Sequence, residues 1–314
     1  MTESIAEGDL VAVNGSVTLA GTVWLPRVGT RAGVLMFPGS GPSDRHNDVF
    51  FPPIREHLVD RGIAVASFDK RGVGESGGDW LSVGIDVLAA DAIAEMDAFR
   101  AVGGIPTDRV GLFGHSQGGW IVLEAAAIDE HAAFVVSSSG PGVTVGEQDR
   151  FAVRAAVADS SPSVSEFDAA LELYDESMGI LRSGRPWEDL VRRLEDPRIA
   201  PQVRLLERSG FSRPTADDWL QLGMIIDHDP VAAMRRIDRP VLAVFGDDDA
   251  LIPVERSIEI FERELGDRGL LTTKVFSGAD HRMQIGDPPV LALRYLETLS
   301  EWILEVTAGD SGRP

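Results

Sequence analysis

Apolar positions along the chain first alternate, then gather into short runs separated by amphipathic stretches. LVAV, Asn14-Gly15 and SVTLAGTVWLP read as two extended runs around an Asn-Gly turn, a β-hairpin. Beyond it the rhythm changes. GVLMF (33–37), IAVASF (63–68), RVGLF (109–113) and AFVV (133–136) predict strands, and helical spacing predicts helices over 50–61, 85–102 and 118–128. Apolar runs rich in Val, Leu and Phe suit parallel strands covered on both faces. The rhythm breaks after Gly140-Pro141-Gly142. From there to about residue 237 helical periodicity continues without a buried strand, in amphipathic stretches at 147–157, 166–181, 186–196 and 217–226. Alternation resumes with RPVLAVFG (239–246), a helix at 254–265, LLTTKVF (270–276) and a final helix at 289–306. The last residues, AGDSGRP, are expected to fray. The pattern implies an α/β fold with a mostly parallel, doubly wound sheet and an N-terminal antiparallel hairpin. Residues 1–141 and 238–314 would form its core, and 142–237 a helical cap inserted over the sheet's carboxyl edge.

Composition narrows the function classes. At 314 residues the chain suits a single α/β unit with an insertion. Hydrophobic residues at 44% and charged residues at 25% exclude disorder as the main state. The 29 basic and 50 acidic residues leave a net charge of −21. Such a surface repels phosphate backbones and anionic headgroups, so neither nucleic acid nor membrane is an expected partner. There is no cysteine, which removes thiolate nucleophiles, disulfides and cysteine-based metal sites. The opening MTESIAEGDL carries acids where a signal peptide needs basic residues and an apolar run, and no stretch approaches the length of a membrane span; a cytoplasmic protein is expected. Only Lys70 and Lys274 are lysines, a skew that reads as coding composition.

The pattern G-x-S-x-G occurs twice, as Gly114-His115-Ser116-Gln117-Gly118 and as Gly74-Glu75-Ser76-Gly77-Gly78. The first lies between the run VGLF and the helical stretch GGWIVLEAAA, the strand–turn–helix setting of a nucleophile elbow. Such a turn leaves no room for side chains at Gly114 and Gly118 and holds the Ser116 hydroxyl out at the sheet's carboxyl end. The second runs into a glycine-rich loop with no helix behind it. A serine nucleophile needs a base, and the base needs an orienting carboxylate. Of the six histidines, His281 follows the last strand on the catalytic edge. His57 and His131 fall toward strand starts, His228 in the inserted block and His115 within the elbow; His46 lies on the right edge, but no strand presents it. The acid is expected among Asp247, Asp248 and Asp249, directly after AVFG. The loop FPGSGPSDRH after GVLMF has glycines that let backbone approach a substrate. Its Ser40 N–H, with that of Gln117, is an expected oxyanion donor.

In these pieces the chain resembles an α/β-hydrolase over residues 10–306: PGSGPSDR (38–45), DKRGVGES (69–76), GHSQGG (114–119), GDDDALIP (246–253) and GADH (278–281). The resemblance implies the α/β-hydrolase fold, whose triad runs Ser, Asp, His along the chain. It selects Asp249, placed between Gly246 and Pro253, with Asp248 as second choice. The PGSGPxDR loop and GHSQGG elbow are similar to an esterase- and peptidase-like branch of bacterial serine hydrolases. There Asp44 and Arg45 belong to the oxyanion loop and are expected to order it by pairing with the Asp69–Arg71 turn. Asn47 departs from the pattern, standing where Gly or Asp is more usual. The implied activity is hydrolysis of small to medium carboxylic esters by a Ser116–His281–Asp249 triad, with no metal and no organic cofactor. The substrate would be a small-molecule ester or related acyl compound, and the enzyme a monomer or homodimer. A thioesterase, acyltransferase or peptidase would use the same triad. A non-catalytic binding protein would usually lack one of its members, and all are present here. In the inserted block Tyr174, Met178, Trp187, Phe211, Trp219 and Met224 could line an acyl or aryl pocket or pack cap against core.

Overall fold

The structure is a computed structural model that describes residues 6–211 and 213–308; the expected frayed tail lies outside them except for Ala308. Strands β1 (Ala6–Asn14) and β2 (Val17–Leu25) pair antiparallel with Asn14 opposite Val17. The turn between them is therefore Gly15-Ser16, not Asn14-Gly15. Gly15 takes φ +62°, the left-handed first position that a type II′ hairpin demands, and Asn14 stays in the strand.

Six further strands complete one sheet: β3 (Ala32–Phe37), β4 (Ile63–Phe68), β5 (Val110–His115), β6 (Val135–Ser138), β7 (Val241–Gly246) and β8 (Leu271–Phe276). Their order is β1-β2-β4-β3-β5-β6-β7-β8, antiparallel as far as the β2–β4 pair and parallel from β4 onward. Every residue of β3 to β7 is buried, which is why these segments read as continuous apolar runs. Edge strand β8 is only partly covered and carries Lys274 outward, a charge that discourages pairing with another chain.

Helices cover both faces. Helix α1 (Phe51–Asp60) packs on one face. On the other lie α2 (Ile85–Arg100) and α3 (Gln117–Ile128). Between β6 and β7 come α4 (Val145–Asp159), α5 (Val164–Arg182), α6 (Trp187–Leu194), α7 (Ala200–Arg208), α8 (Ala216–Ile225) and α9 (Val231–Arg236). Capping boxes start two of these, Ser163 with Glu166 on α5 and Thr215 with Asp218 on α8. Helix α10 (Val254–Leu265) joins the face of α2 and α3, and α11 (Tyr295–Val306) the face of α1. No described helix is long and apolar enough to cross a membrane.

Three local readings differ from the sequence pattern. Strand β6 begins at Val135, two residues later than AFVV suggests. The last helix begins at Tyr295, because the apolar residues before it form a two-stranded ribbon, β9 (Gln284–Ile285) with β10 (Val290–Leu291). Helices α7 and α9, with nine and six residues, are shorter than the stretch over which helical periodicity stands out.

A buried ion pair ties the hairpin side of the sheet to α2. Arg71 grips Asp91 through Nε and NH2, and Asp91 also accepts from Asn14 Nδ2 at 2.7 Å. Both charges are nearly inaccessible, so removing one strands the other. Asp91→Ala is expected to lower the unfolding free energy by about 3–5 kcal/mol in urea titration; a change below about 1 kcal/mol would mean that the pair is dispensable.

Candidate active site

The progression of strands reverses at β3: β4 lies on one side of it and β5 on the other. The loops leaving the carboxyl ends of β3 and β5 therefore part, and a crevice opens between them. Ser116 stands at its edge, between β5 and α3, with φ 55° and ψ −120°. That left-handed conformation of a non-glycine residue stores strain of about 1–3 kcal/mol. Close packing enforces it. A Cβ on Gly114 would fall onto the Gly118 carbonyl, and one on Gly118 would come within 2.5 Å of the Phe37 carbonyl oxygen. Both elbow glycines are thus dictated by backbone approach.

Asp249 and His281 follow the ends of β7 and β8. A Cβ on Gly246 would collide with the Ala279 carbonyl, so this glycine lets the 278–281 loop press against β7. His281 Nδ1 lies 2.8 Å from Asp249 Oδ2. The Asp249 side chain is fully buried, and its other oxygen accepts the N–H groups of Leu251 at 2.8 Å and Ile252 at 3.1 Å. The carboxylate is thereby fixed in orientation, and it in turn fixes the imidazole with Nε2 facing away from it. Asp248 is exposed, and Asp247 instead accepts the Gly278 N–H. His281 and Ser116 line the same cleft without a hydrogen bond between them. His115 packs between Phe50 and His281, with ring centroids 4.5 and 4.9 Å away. Burial, with His281 beside it, holds its pKa well below the usual histidine range, so it stands as a neutral spacer.

The glycine-rich loop 38–45 follows β3. Gly39 sits against the Ser116 Cβ, Ser40 lines the same cleft as Ser116, and Gln117 opens α3. Neither backbone N–H has a hydrogen-bond partner among the described residues. Arg45 anchors the loop: its Nε and NH2 reach both carboxylate oxygens of Asp69, and its own N–H adds a third bond at 2.9 Å. Burial pushes the Asp69 carboxyl up, but the Arg45 guanidinium and two backbone N–H groups outweigh it and hold it below the usual range. Arg71 does not join this pair; it turns to Asp91. Asp44 accepts the His46 N–H and borders the cleft. Asn47 is buried with φ 45°, a conformation that its side chain tolerates nearly as well as glycine does.

The residue whose place the sequence does not announce is Lys70. Its Nζ donates to the Gly39 and Gly41 carbonyls and to Gln117 Oε1, directly beneath the loop after β3. The available signal is one of two lysines in an arginine-rich chain, inside the DKRG turn.

The second G-x-S-x-G serves the backbone: buried Ser76 donates to Asp69 O at 2.7 Å and accepts the Ala20 N–H at 2.9 Å. His57 pairs with Ser300 and His46 with Arg55, away from Ser116. The cleft around Ser116 has a volume of about 670 Å³ and is walled by the loops after β3, β4, β7 and β8. None of its lining residues comes from the helices between β6 and β7. Tyr174, Met178, Phe211 and Trp219 line a separate apolar cavity of about 210 Å³ among those helices. Trp187 is spent on the Pro214 carbonyl, and Met224 is exposed.

The profile of the alpha/beta hydrolase family matches residues 34–292. Among solved structures, an esterase from Pyrococcus furiosus superposes with a TM-score of 0.61 at 17% identity, over 96% of this chain and 89% of its own. Proline iminopeptidase from Mycobacterium smegmatis gives 0.62 at 18%, over 96% and 99%. Est1E from Butyrivibrio proteoclasticus, solved with ferulic acid bound, gives 0.59 at 15%, over 94% and 96%. At these identities the likeness is one of fold. A search of curated proteins gives no significant match.

Because the apolar cavity and the cleft share no lining residue, their mutations should separate. Trp219→Ala is expected to cost about 3–5 kcal/mol of stability and to leave KM for an ester within about threefold. A tenfold rise in KM in a folded variant would show that the cavity serves the cleft.

Proposed function

The chain belongs to the alpha/beta hydrolase family, and from that premise we propose that it cleaves carboxylic esters of small to medium size through an acyl-enzyme on Ser116. In this reading Ser116 Oγ attacks the ester carbonyl and passes its proton to His281 Nε2. Asp249 holds the other imidazole nitrogen, keeps the ring in the tautomer that leaves Nε2 free to accept, and stabilises the imidazolium that forms. The tetrahedral oxyanion is received by the N–H groups of Ser40 and Gln117, the latter at the positive end of α3. Collapse of the intermediate expels the alkoxide, which takes its proton from His281. Water then repeats the sequence and releases the acid. The cycle calls on no metal or organic group.

The observation that carries this reading is the 2.8 Å contact between His281 Nδ1 and a fully buried Asp249, in the cleft that also exposes Ser116. An acid whose remaining lone pairs are filled by backbone N–H groups is arranged to orient its histidine. The substrate range follows from a cleft of about 670 Å³, room for a compact ester and too little for a polymer. Residues 142–237 act as a cap at the rim. Gln148 on α4 donates to the Leu251 carbonyl at 2.9 Å, touching the loop that carries Asp249.

The test is hydrolysis of p-nitrophenyl esters from acetyl to palmitoyl. Wild type should turn over the shorter chains, and Ser116→Ala and His281→Ala should each lose at least about 10³-fold in kcat. A Ser116→Ala variant as active as wild type would sink the assignment. Turnover confined to acyl thioesters or aminoacyl amides would keep the triad and replace the ester substrate.

A further inference from the structure

Lys70 lies just past β4, buried beneath the oxyanion loop. Its ammonium donates to Gly39 O at 2.6 Å, Gly41 O at 2.8 Å and Gln117 Oε1 at 3.2 Å, with the Trp80 ring 5.5 Å away. Among the described residues no carboxylate forms an ion pair with it. The charged neighbours are Arg71, Asp91 and Glu95, which border the same small void as Lys70. Arg71 and Asp91 satisfy each other. Burial, with Asp91 beside it, pushes the Glu95 carboxyl well above the usual range, so that it stays neutral and offers no counter-charge. An ammonium held this way costs stability, and a hydrophobic residue would fill the space with less penalty.

Its three acceptors explain the expense. Gly39 and Gly41 flank Ser40, and Gln117 follows Ser116. The Gly39 carbonyl and the Ser40 N–H belong to one peptide unit, planar and trans, so they point in opposite directions. A donor that fixes the carbonyl on one side aims the N–H on the other, and polarises it as well. We propose, resting on the esterase reading above, that Lys70 is a positioning residue of the oxyanion site: it grips the carbonyls around Ser40 and the Gln117 amide, aims the oxyanion donors, and sets a positive charge behind them.

The charge gives the proposal a pH signature. Burial draws the Lys70 pKa down to about 7. Its charge is present below neutrality and lost as pH rises through that value, so its contribution to kcat fades on the alkaline side.

The experiment compares wild type, Lys70→Met and Lys70→Gln on p-nitrophenyl acetate, with melting curves and with hydrogen exchange of the Ser43 amide, which donates to the Gly41 carbonyl that Lys70 also holds. Lys70→Met should lose about 10–100-fold in kcat, with KM within threefold, since the effect acts through donors used mainly in the transition state. Lys70→Gln, which keeps a neutral donor in the site, should recover at least threefold over Met. The decline of kcat above pH 7 expected in wild type should be absent in both variants. Exchange at the Ser43 amide should quicken at least tenfold in Lys70→Met. The proposal is overturned if a folded Lys70→Met keeps kcat within twofold, if the loss lies in KM, or if loop exchange is unchanged. Should Lys70→Met fail to fold, Lys70→Gln decides on the same criteria. Ser116→Ala in the same assay judges the parent reading separately, because the exchange measurement reports on loop positioning whatever the substrate.

Discussion

Where β5 turns into α3, two stretches of backbone approach so closely that no side chain fits between them. Gly114 meets Gly118 within the turn, and Gly118 meets the end of β3. This steric constraint forces Ser116 into its left-handed conformation and lifts its hydroxyl clear of the sheet. It also draws down the loop after β3, since Gly39 rests on the Ser116 Cβ. Ser116 and that loop are thus set by one packing event in the backbone, which side-chain rearrangement cannot undo.

Around that contact the protein distributes three consecutive charges in three directions. Asp69 turns to Arg45 and anchors the outer part of the loop. Arg71 turns inward to Asp91 and anchors α2. Lys70, between them, has no counter-ion among the described residues and is held by carbonyl oxygens. The two ion pairs fix the turn so firmly that the unpaired ammonium has one place to go. A costly buried charge is tolerated because its neighbours secure the fold.

The helices between β6 and β7 have their own apolar cavity, share one buried apolar cluster with the α2, α3 and α10 face of the sheet, and add polar ties such as Gln148 to Leu251. Cleft and cavity are walled separately, so the shape of the cleft comes from the loops after β3, β4, β7 and β8. Aromatic side chains such as Tyr174 and Trp219 pack within the helical body.

Much of this was legible beforehand, for identifiable reasons. Buried parallel strands need unbroken apolar runs, so β3, β4, β5 and β7 stand out in the sequence. A turn that excludes side chains needs glycine, so the elbow does too. The same rule does not separate Ser116 from Ser76 by composition; only the strand before and the helix behind do so. Where local signal was weak the reading slipped: the hairpin turn moved by one residue, and the apolar run before α11 became a ribbon. Those choices depend on what the rest of the chain leaves to pair with. The sequence by itself determined the order of strands and helices, the elbow, and the residue types available at the sheet's carboxyl edge, because backbone sterics and burial act locally. Only the tertiary structure decided which acid of the 247–249 run reaches His281, which basic residue pairs with which carboxylate, and that Lys70 lies under the loop after β3. Those outcomes depend on distances between segments far apart in the chain, which no spacing along it encodes.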